Sequence, residues 1–530
     1  MMKFFIPLTF KDVFAKEAPG DYFALITKFP KNLLMAHLAF LIGKSNSYLN
    51  AVVKSSSIET HREFLALFNL PEEISIRTLS CIEDLGGAHR LIYSRDTILY
   101  GMEEILQSNL EDCPEVVKGD QELTKSLFCY LLCLNERYIK SRKLEGDVTI
   151  EQLNASILPV NNIPRYNSIT LFIKGVRLFK KMLSDPVYKN LLSTYILDEY
   201  NCTVNQYIGF FLRWGESGTN IIIDEDQTEY TIFKRLSQYK MDKAETQRLS
   251  SVRISPVYQV SKNNFIILDK SLFLGKMYYQ FIYEFWFNCV KINSISVKTY
   301  FGWIGKFFEN YTVELLKQLF QFTKHPIPIG LSELNYKNIK GDNEFADFYA
   351  RQNRKLVFAE IKLGNLSDEE RYSGNVDGLY AKGEVNFYDC LRQLEDSINN
   401  LKILQMHFDP KLEVGRHLTI YPICVFNDKI YDFGFMKITF DKKWEEIRKR
   451  SSGLNIKPLI ILQIEELESL VFRLNDQSKN ISVWDALDAF CIRKKGARSF
   501  SWAKLENMPL SYPQNIVEEL QWYLDVYKIS

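Results

Sequence analysis

Two apolar runs, "NEFADFYA" and "LVFAEIKL", joined by the polar break "RQNRK", constrain this chain more than any other stretch. Their period predicts two strands, and so short a break predicts that they pair as a hairpin. Side chains along a strand point to opposite faces in turn. Phe345, Asp347 and Tyr349 therefore share one face, while Glu360 and Lys362 share a face of the partner. Antiparallel pairing would bring the acids together. Val357, Ala359 and Ile361 argue that the second strand is covered, so three charges stand where a core is expected. A solvated ion pair on an edge strand gives the same letters, and the flanking sequence has to decide.

Before the hairpin, "TYFGWIGKFFENYTVELLKQLFQF" places Ile304, Phe308, Tyr311, Leu315 and Leu319 on one helical stripe that ends ahead of "HPIPIG". After it, "NFYDCLRQLEDSINNLKIL" predicts a helix whose stripe is Leu391, Leu394, Ile398 and Leu401, with Gln393 to one side. "HLTIYPICVF" and "KPLIILQI" are rich in β-branched residues and suit central strands. The second leads into "EELESLVFRL", a helix with acids at its positive end. The order is helix, strand, strand, helix, strand, helix, strand, helix, which predicts an α/β sandwich around a mixed sheet.

At these residues, from about 300 to 475, the chain resembles the PD-(D/E)XK nuclease superfamily of restriction endonucleases, DNA repair nucleases and bacterial defence nucleases. "GKFFE" looks like the first-helix motif, "ADFYA" the metal-binding aspartate, "FAEIK" the E-x-K strand and "DCLRQLE" the helix that presents a glutamine in several branches. The resemblance implies a restriction-endonuclease-like fold and a phosphodiesterase dependent on Mg²⁺ or Mn²⁺. Asp347, Glu360 and the backbone carbonyl of Ile361 would hold the ion. Lys362 would stabilise charge developing on the phosphate, Glu309 would hold a metal-bound water or a second ion, and Gln393 would orient the water or touch the phosphate. Gly305, one turn before Glu309, suggests a helix lying close to the sheet. Glu314 competes with Glu309, and Asp342 and Glu344 of the "KGDNE" turn compete with Asp347. The family often has proline before the aspartate, where this chain has Ala346. E-x-K alone is common; its force comes from the ordered set.

With 530 residues the chain exceeds a single core. Residues 1 to 158 read as helical, through "DYFALITKF", "HREFLALFNL" and "LTKSLFCYLLCLNERYI". Pro159 and Pro164 punctuate, residues 165 to 295 read as mixed but mainly helical, and 296 to 530 hold the nuclease-like region with a basic C-terminal extension. The whole is an α+β multidomain chain. "LIGKSNS" at 41 to 47 lacks the earlier glycine of a phosphate loop and sits in a helical pattern. Nine scattered cysteines without a CxxC pair predict reduced core thiols and no zinc; Cys129 and Cys133 read as core. The scattered histidines follow no ligand pattern. The longest apolar run is too short to span a bilayer, so the expected location is the cytoplasm, with no membrane partner.

A formal charge of +1 gives no global field for a polyanion, which leaves local patches. "KKWEEIRKR" reads as a solvated helix face or a backbone grip involving Trp444. "CIRKKGARSFSWAK" offers Arg493, Lys494, Lys495, Arg498 and Trp502 for phosphate contact and base stacking. Family precedent favours DNA over RNA and a role as effector of a bacterial defence system. The helical half then reads as a sensing, targeting or self-association module, with room for a separately encoded ATPase or sensor partner. A catalytically silent nucleic-acid-binding module and an interaction scaffold are the alternatives.

Overall fold

The computed structural model describes residues 6–55, 57–84, 90–113, 121–140, 168–214, 220–238, 249–321, 328–331, 345–364, 376–427, 434–451, 453–474, 482–491 and 514–526. The chain divides into two compact units, one built mainly from Lys3–Asp147 and Ile163–Ile292, the other mainly from Asn293–Tyr523. Segments on either side of Pro159 and Pro164 both belong to the first.

The first unit is chiefly helical. Helices α1 (Lys31–Ser55), α2 (Arg95–Gln107) and α3 (Gln121–Lys140) bury Leu34, Leu38, Ile98, Leu99, Leu127 and Leu131 in one core. "LIGKSNS" lies within α1, so Gly43, Lys44 and Ser45 occupy helical turns. Cys129 and Cys133 are buried on α3. Against expectation, "DYFALITKF" forms only one turn of 3-10 helix, Phe23–Leu25. Pro30 disfavours helical backbone at Phe29, and the rings of Tyr22 and Phe23 lie on Tyr130 instead. Helix α4 (Ser168–Leu183) is joined in this unit by strands β1 (Asn220–Ile222), β2 (Val257–Ser261) and β3 (Asn264–Ile267), an antiparallel sheet in the order β1-β3-β2.

The second unit is α/β. Helix α5 (Val297–Leu319) is capped by Ser296, whose hydroxyl accepts from Thr299 N at 3.1 Å. Its buried side includes the expected stripe, Ile304, Phe308, Tyr311, Leu315 and Leu319. A side chain at Gly305 would meet open space, so close approach to the sheet does not explain that glycine. Strands β4 (Ile329–Gly330), β5 (Phe348–Gln352) and β6 (Lys355–Lys362) form an antiparallel meander. The β5–β6 turn is tighter than "RQNRK" suggested: Gln352 pairs with Lys355, and Asn353 adopts the left-handed backbone (φ 54°) that such turns require.

Helices α6 (Val376–Asn399) and α7 (Leu401–Phe408) lead into β7 (Thr419–Phe426), parallel to β6. Helix α8 (Gly434–Arg450) then leads to β8 (Asn455–Ile456) and β9 (Ile460–Gln463), both parallel to β7, with Pro458 between them, a residue that cannot donate to the ladder. Helices α9 (Ile464–Leu474) and α10 (Val483–Cys491) follow. The sheet order is β8-β7-β6-β5-β4, with β9 also on β7. The helix and strand order matches expectation, except that β4 covers the edge of β5, the short β8 precedes β9, and α7 and α10 are added. This is a mixed α+β protein with its mixed sheet in the C-terminal half.

On one face, Leu356 and Phe358 of β6 and Ile420 and Phe426 of β7 share a core with Phe387, Leu391 and Leu394 of α6 and Trp444 of α8. Toward the other lie α5, α9 and α10, with Tyr311 donating to Glu468 at 2.8 Å and Trp484 ringed by Phe320 and Tyr421. Because α6 crosses β7 on the first face, Cys390 and Cys424 meet and are joined as a disulfide, contrary to the expectation that every thiol is reduced. The other seven cysteines are free.

Candidate functional site

The charged residues of the hairpin gather at the C-terminal end of β6. Asp347 stands one step beyond the Phe348–Ala359 pair, opposite Glu360. Its side chain behaves like a strand carbonyl, with Oδ2 accepting from the Ile361 amide at 2.8 Å, while its own carbonyl accepts from Leu331 N at 2.7 Å. These two bonds fix the carboxylate beside the strand end.

Glu360 is 1% exposed. Its companion is the Lys362 ammonium, 2.7 Å from Oε1, and the same Nζ donates to Gln393 Oε1 at 2.6 Å. A carboxylate buried so deeply without such a cation would cost several kcal/mol. Alternation along β6 puts Glu360 and Lys362 on the face that α6 covers, which is why a glutamine on α6 reaches the ammonium. Gln393 is buried, not a solvent-facing helix position.

Ser397, unremarked in the sequence, ties these parts together. Its hydroxyl accepts from Ala346 N at 2.8 Å and donates to the Gln393 carbonyl at 2.8 Å. One buried side chain thus joins the segment carrying Asp347 to the helix carrying Gln393. The available signal was a serine four residues after Gln393 and beside the Leu394–Ile398 stripe, where a hydroxyl bonds back along its own helix.

Glu309, on α5, is 20% exposed and paired with Lys306 at 2.6 Å. Its charge acts on Asp347. Burial first, and the Glu309 charge second, push the Asp347 carboxyl from 3.8 to about 7; the Ile361 amide, Lys362 and Lys306 oppose the rise. Glu314, its competitor, is exposed. The structure therefore brings Asp347, Glu360, Lys362 and Gln393 together and sets Glu309 within electrostatic reach. Among the described residues, no three His, Cys, Asp or Glu side chains form a ready-made metal-holding group.

Other candidates fall elsewhere. Arg493, Lys494, Lys495, Arg498 and Trp502 lie outside the described residues, as do Asp342 and Glu344. Trp444 is 1% exposed and donates its indole N–H to the Lys457 carbonyl at 3.0 Å, so it belongs to the core and is closed to base stacking. Arg448 likewise spends its Nε on the Ile456 carbonyl at 2.8 Å, and Lys442, Lys443, Lys449 and Arg450 remain as an exposed helix face. Among the described residues no helix is long and apolar enough to cross a membrane.

Comparison with protein-family models, with curated proteins and with solved structures gives no match to this chain.

Proposed function

We propose that the C-terminal unit is a metal-dependent nuclease of PD-(D/E)XK type that hydrolyses phosphodiester bonds. The observation that carries the proposal is the Lys362 ammonium held between buried Glu360 and Gln393, with Asp347 opposite on the neighbouring strand. Such a cluster is an expensive way to end a core strand unless the charges are used. The resemblance of the motifs adds DNA as the substrate and an effector role in bacterial defence, in the cytoplasm and with a separately encoded ATPase or sensor as partner.

The donor set suits a hard cation. Asp347, Glu360 and Glu309 offer only carboxylate oxygens, the chemistry of Mg²⁺ or Mn²⁺ and not of zinc. Burial chiefly, and the Glu309 charge next, raise the proton affinity of Asp347, and a bound cation would oppose both. Asp347 and Glu360, with the Ile361 carbonyl, would hold the ion, and Glu309 would hold its water. Bound there, it supplies Lewis acidity toward a phosphate and a more acidic water.

The chain's own residues do the rest. Ile361 N–H keeps Asp347 aimed at the strand end. Lys362 turns from Glu360 toward the scissile phosphate and stabilises its developing charge, while Gln393 continues to accept one ammonium proton and so limits where Nζ can go. A catalytically silent nucleic-acid-binding module is the second reading, favoured by the mutual neutralisation of Lys362 and Glu360.

The test is cleavage of supercoiled plasmid and linear duplex with Mg²⁺ or Mn²⁺, beside Lys362→Ala and a chelated control. Nicking or degradation abolished by both controls is the expected result. Binding that ignores chelator, with no cleavage of DNA or RNA at any metal concentration, would replace the nuclease by the silent module.

A further inference from the structure

We infer that the opposite end of the same sheet carries a binding site for a small phosphate-bearing ligand of the size of a nucleoside monophosphate. The site lies at the β5–β6 turn. Strand β6 runs from Lys355 at this end to Lys362 at the candidate nuclease centre, roughly 23 Å away at the usual rise per residue. The two sites are therefore separate, and this inference does not depend on the nuclease reading.

A cavity of about 350 Å³ opens between the turn and the loop that precedes β7, a volume within the range of small-ligand sites. Its walls are held in place. Arg351 gives its NH2 group to Asp409 Oδ1 at 2.9 Å and its NH1 group to the Asn353 carbonyl at 2.9 Å, and Tyr349 donates to the same aspartate at 2.7 Å. Thr419 N, at the start of β7, donates to the Arg354 carbonyl at 2.8 Å, binding that strand to the turn. Leu412 and Leu418 are buried beneath. The imidazole of exposed His417 lies close over Gly415, 3.1 Å from where a Cβ would stand.

Charge decides the ligand. Arg351 is already neutralised by Asp409. Arg354 and Lys411 also line the cavity, and among the described residues neither has an ion-pair partner. Two uncommitted cations, one with the planar fork that fits phosphate oxygens, mark an anion position. Glu413 on the same rim would repel a featureless polyanion; it suits a ligand that has a hydroxyl or amino donor some distance from its phosphate. A phosphate at Arg354 and Lys411, with a donor-bearing end at Glu413 and Asn353, meets both demands.

Isothermal titration of the full-length chain with adenosine 5′-monophosphate and with inorganic phosphate, at fixed ionic strength, tests this. The nucleotide is expected to bind the more tightly. Arg354→Glu and Lys411→Glu should each weaken both probes by about tenfold or more, whereas Glu413→Gln should weaken the nucleotide alone. Both affinities should be the same with and without chelator, since the nuclease centre would need its cation to hold a phosphate, which separates failure here from failure of the nuclease proposal. Thermal melts check folding, and Arg354→Gln stands in if a charge reversal unfolds the chain. No binding of either probe at millimolar concentration, affinities untouched by the Arg354 and Lys411 variants, or a nucleotide no tighter than phosphate would overturn the inference.

Discussion

Replacing Asp347 by asparagine should make the protein more stable and less active at once. The carboxyl titrates near 7 in the folded chain against an ordinary 3.8, a difference worth about 4 kcal/mol if none were relaxed by solvent. Asp347 is only partly buried, so about 2 kcal/mol is the more realistic share. The sign follows from proton counts. Below pH 3.8 folded and unfolded chains both hold the proton and the difference vanishes. Between 3.8 and 7 the unfolded chain releases it first, so stability falls as pH rises, and above 7 the cost is complete. Asparagine never ionises, and its carbonyl oxygen can still accept from Ile361 N. In chelated buffer at pH 8 the variant should therefore melt roughly 4–8 °C above the parent, with the gap closing toward pH 4. Mg²⁺ should raise the melting temperature of the parent and leave the variant unmoved. Calorimetry across pH, with and without Mg²⁺, provides the assay. A variant less stable than the parent at pH 8, or a gap independent of pH, would refute the burial and Glu309 repulsion assigned to this site.

Lys362→Ala strands the Glu360 charge and should cost roughly 3–5 kcal/mol near neutral pH, much of it recovered in the Glu360→Gln/Lys362→Ala double variant; equal losses in both denaturation curves would contradict the pairing. Gln393→Ala should lower cleavage by roughly tenfold to a hundredfold while leaving Mg²⁺-induced stabilisation intact, because it touches the ammonium and not the acids. Ser397→Ala breaks both the Ala346 and the Gln393 bonds and should destabilise by about 1–3 kcal/mol; if Ser397 also positions the site, Ser397→Thr should restore the Mg²⁺ dependence of cleavage more fully than it restores the melting temperature. Alkylation of the denatured, unreduced chain should label seven of the nine cysteines, sparing Cys390 and Cys424; nine labels by mass spectrometry would show that pair to be reduced.

Much of the second unit could be read from the sequence because its local signals agree. The stripe of α5, the alternation of β5 and β6 and the β-branched run of β7 each favour one element; alternation gives Asp347 and Glu360 their faces, and the tight turn supplies the register that sets them side by side. What sequence could not give were facts that depend on how elements cross. Nothing in "DCLRQLEDS" says which turn of α6 faces Lys362; that is set by where Leu391 and Leu394 settle on β6 and β7, and only then do Gln393 and Ser397 become inward groups with partners. The same crossing brings Cys390 to Cys424 across a 34-residue separation, a pairing that spacing cannot distinguish from chance. Trp444 shows the converse case: its basic neighbours left a solvated helix face and a backbone grip both open, and the indole proves to be the apolar anchor by which an otherwise solvated helix is held to the sheet, its N–H on a buried carbonyl. Charge patterns thus report which side of a helix is wet, while the chemistry of a site depends on the dry side, where a single crossing decides which polar groups are left facing one another.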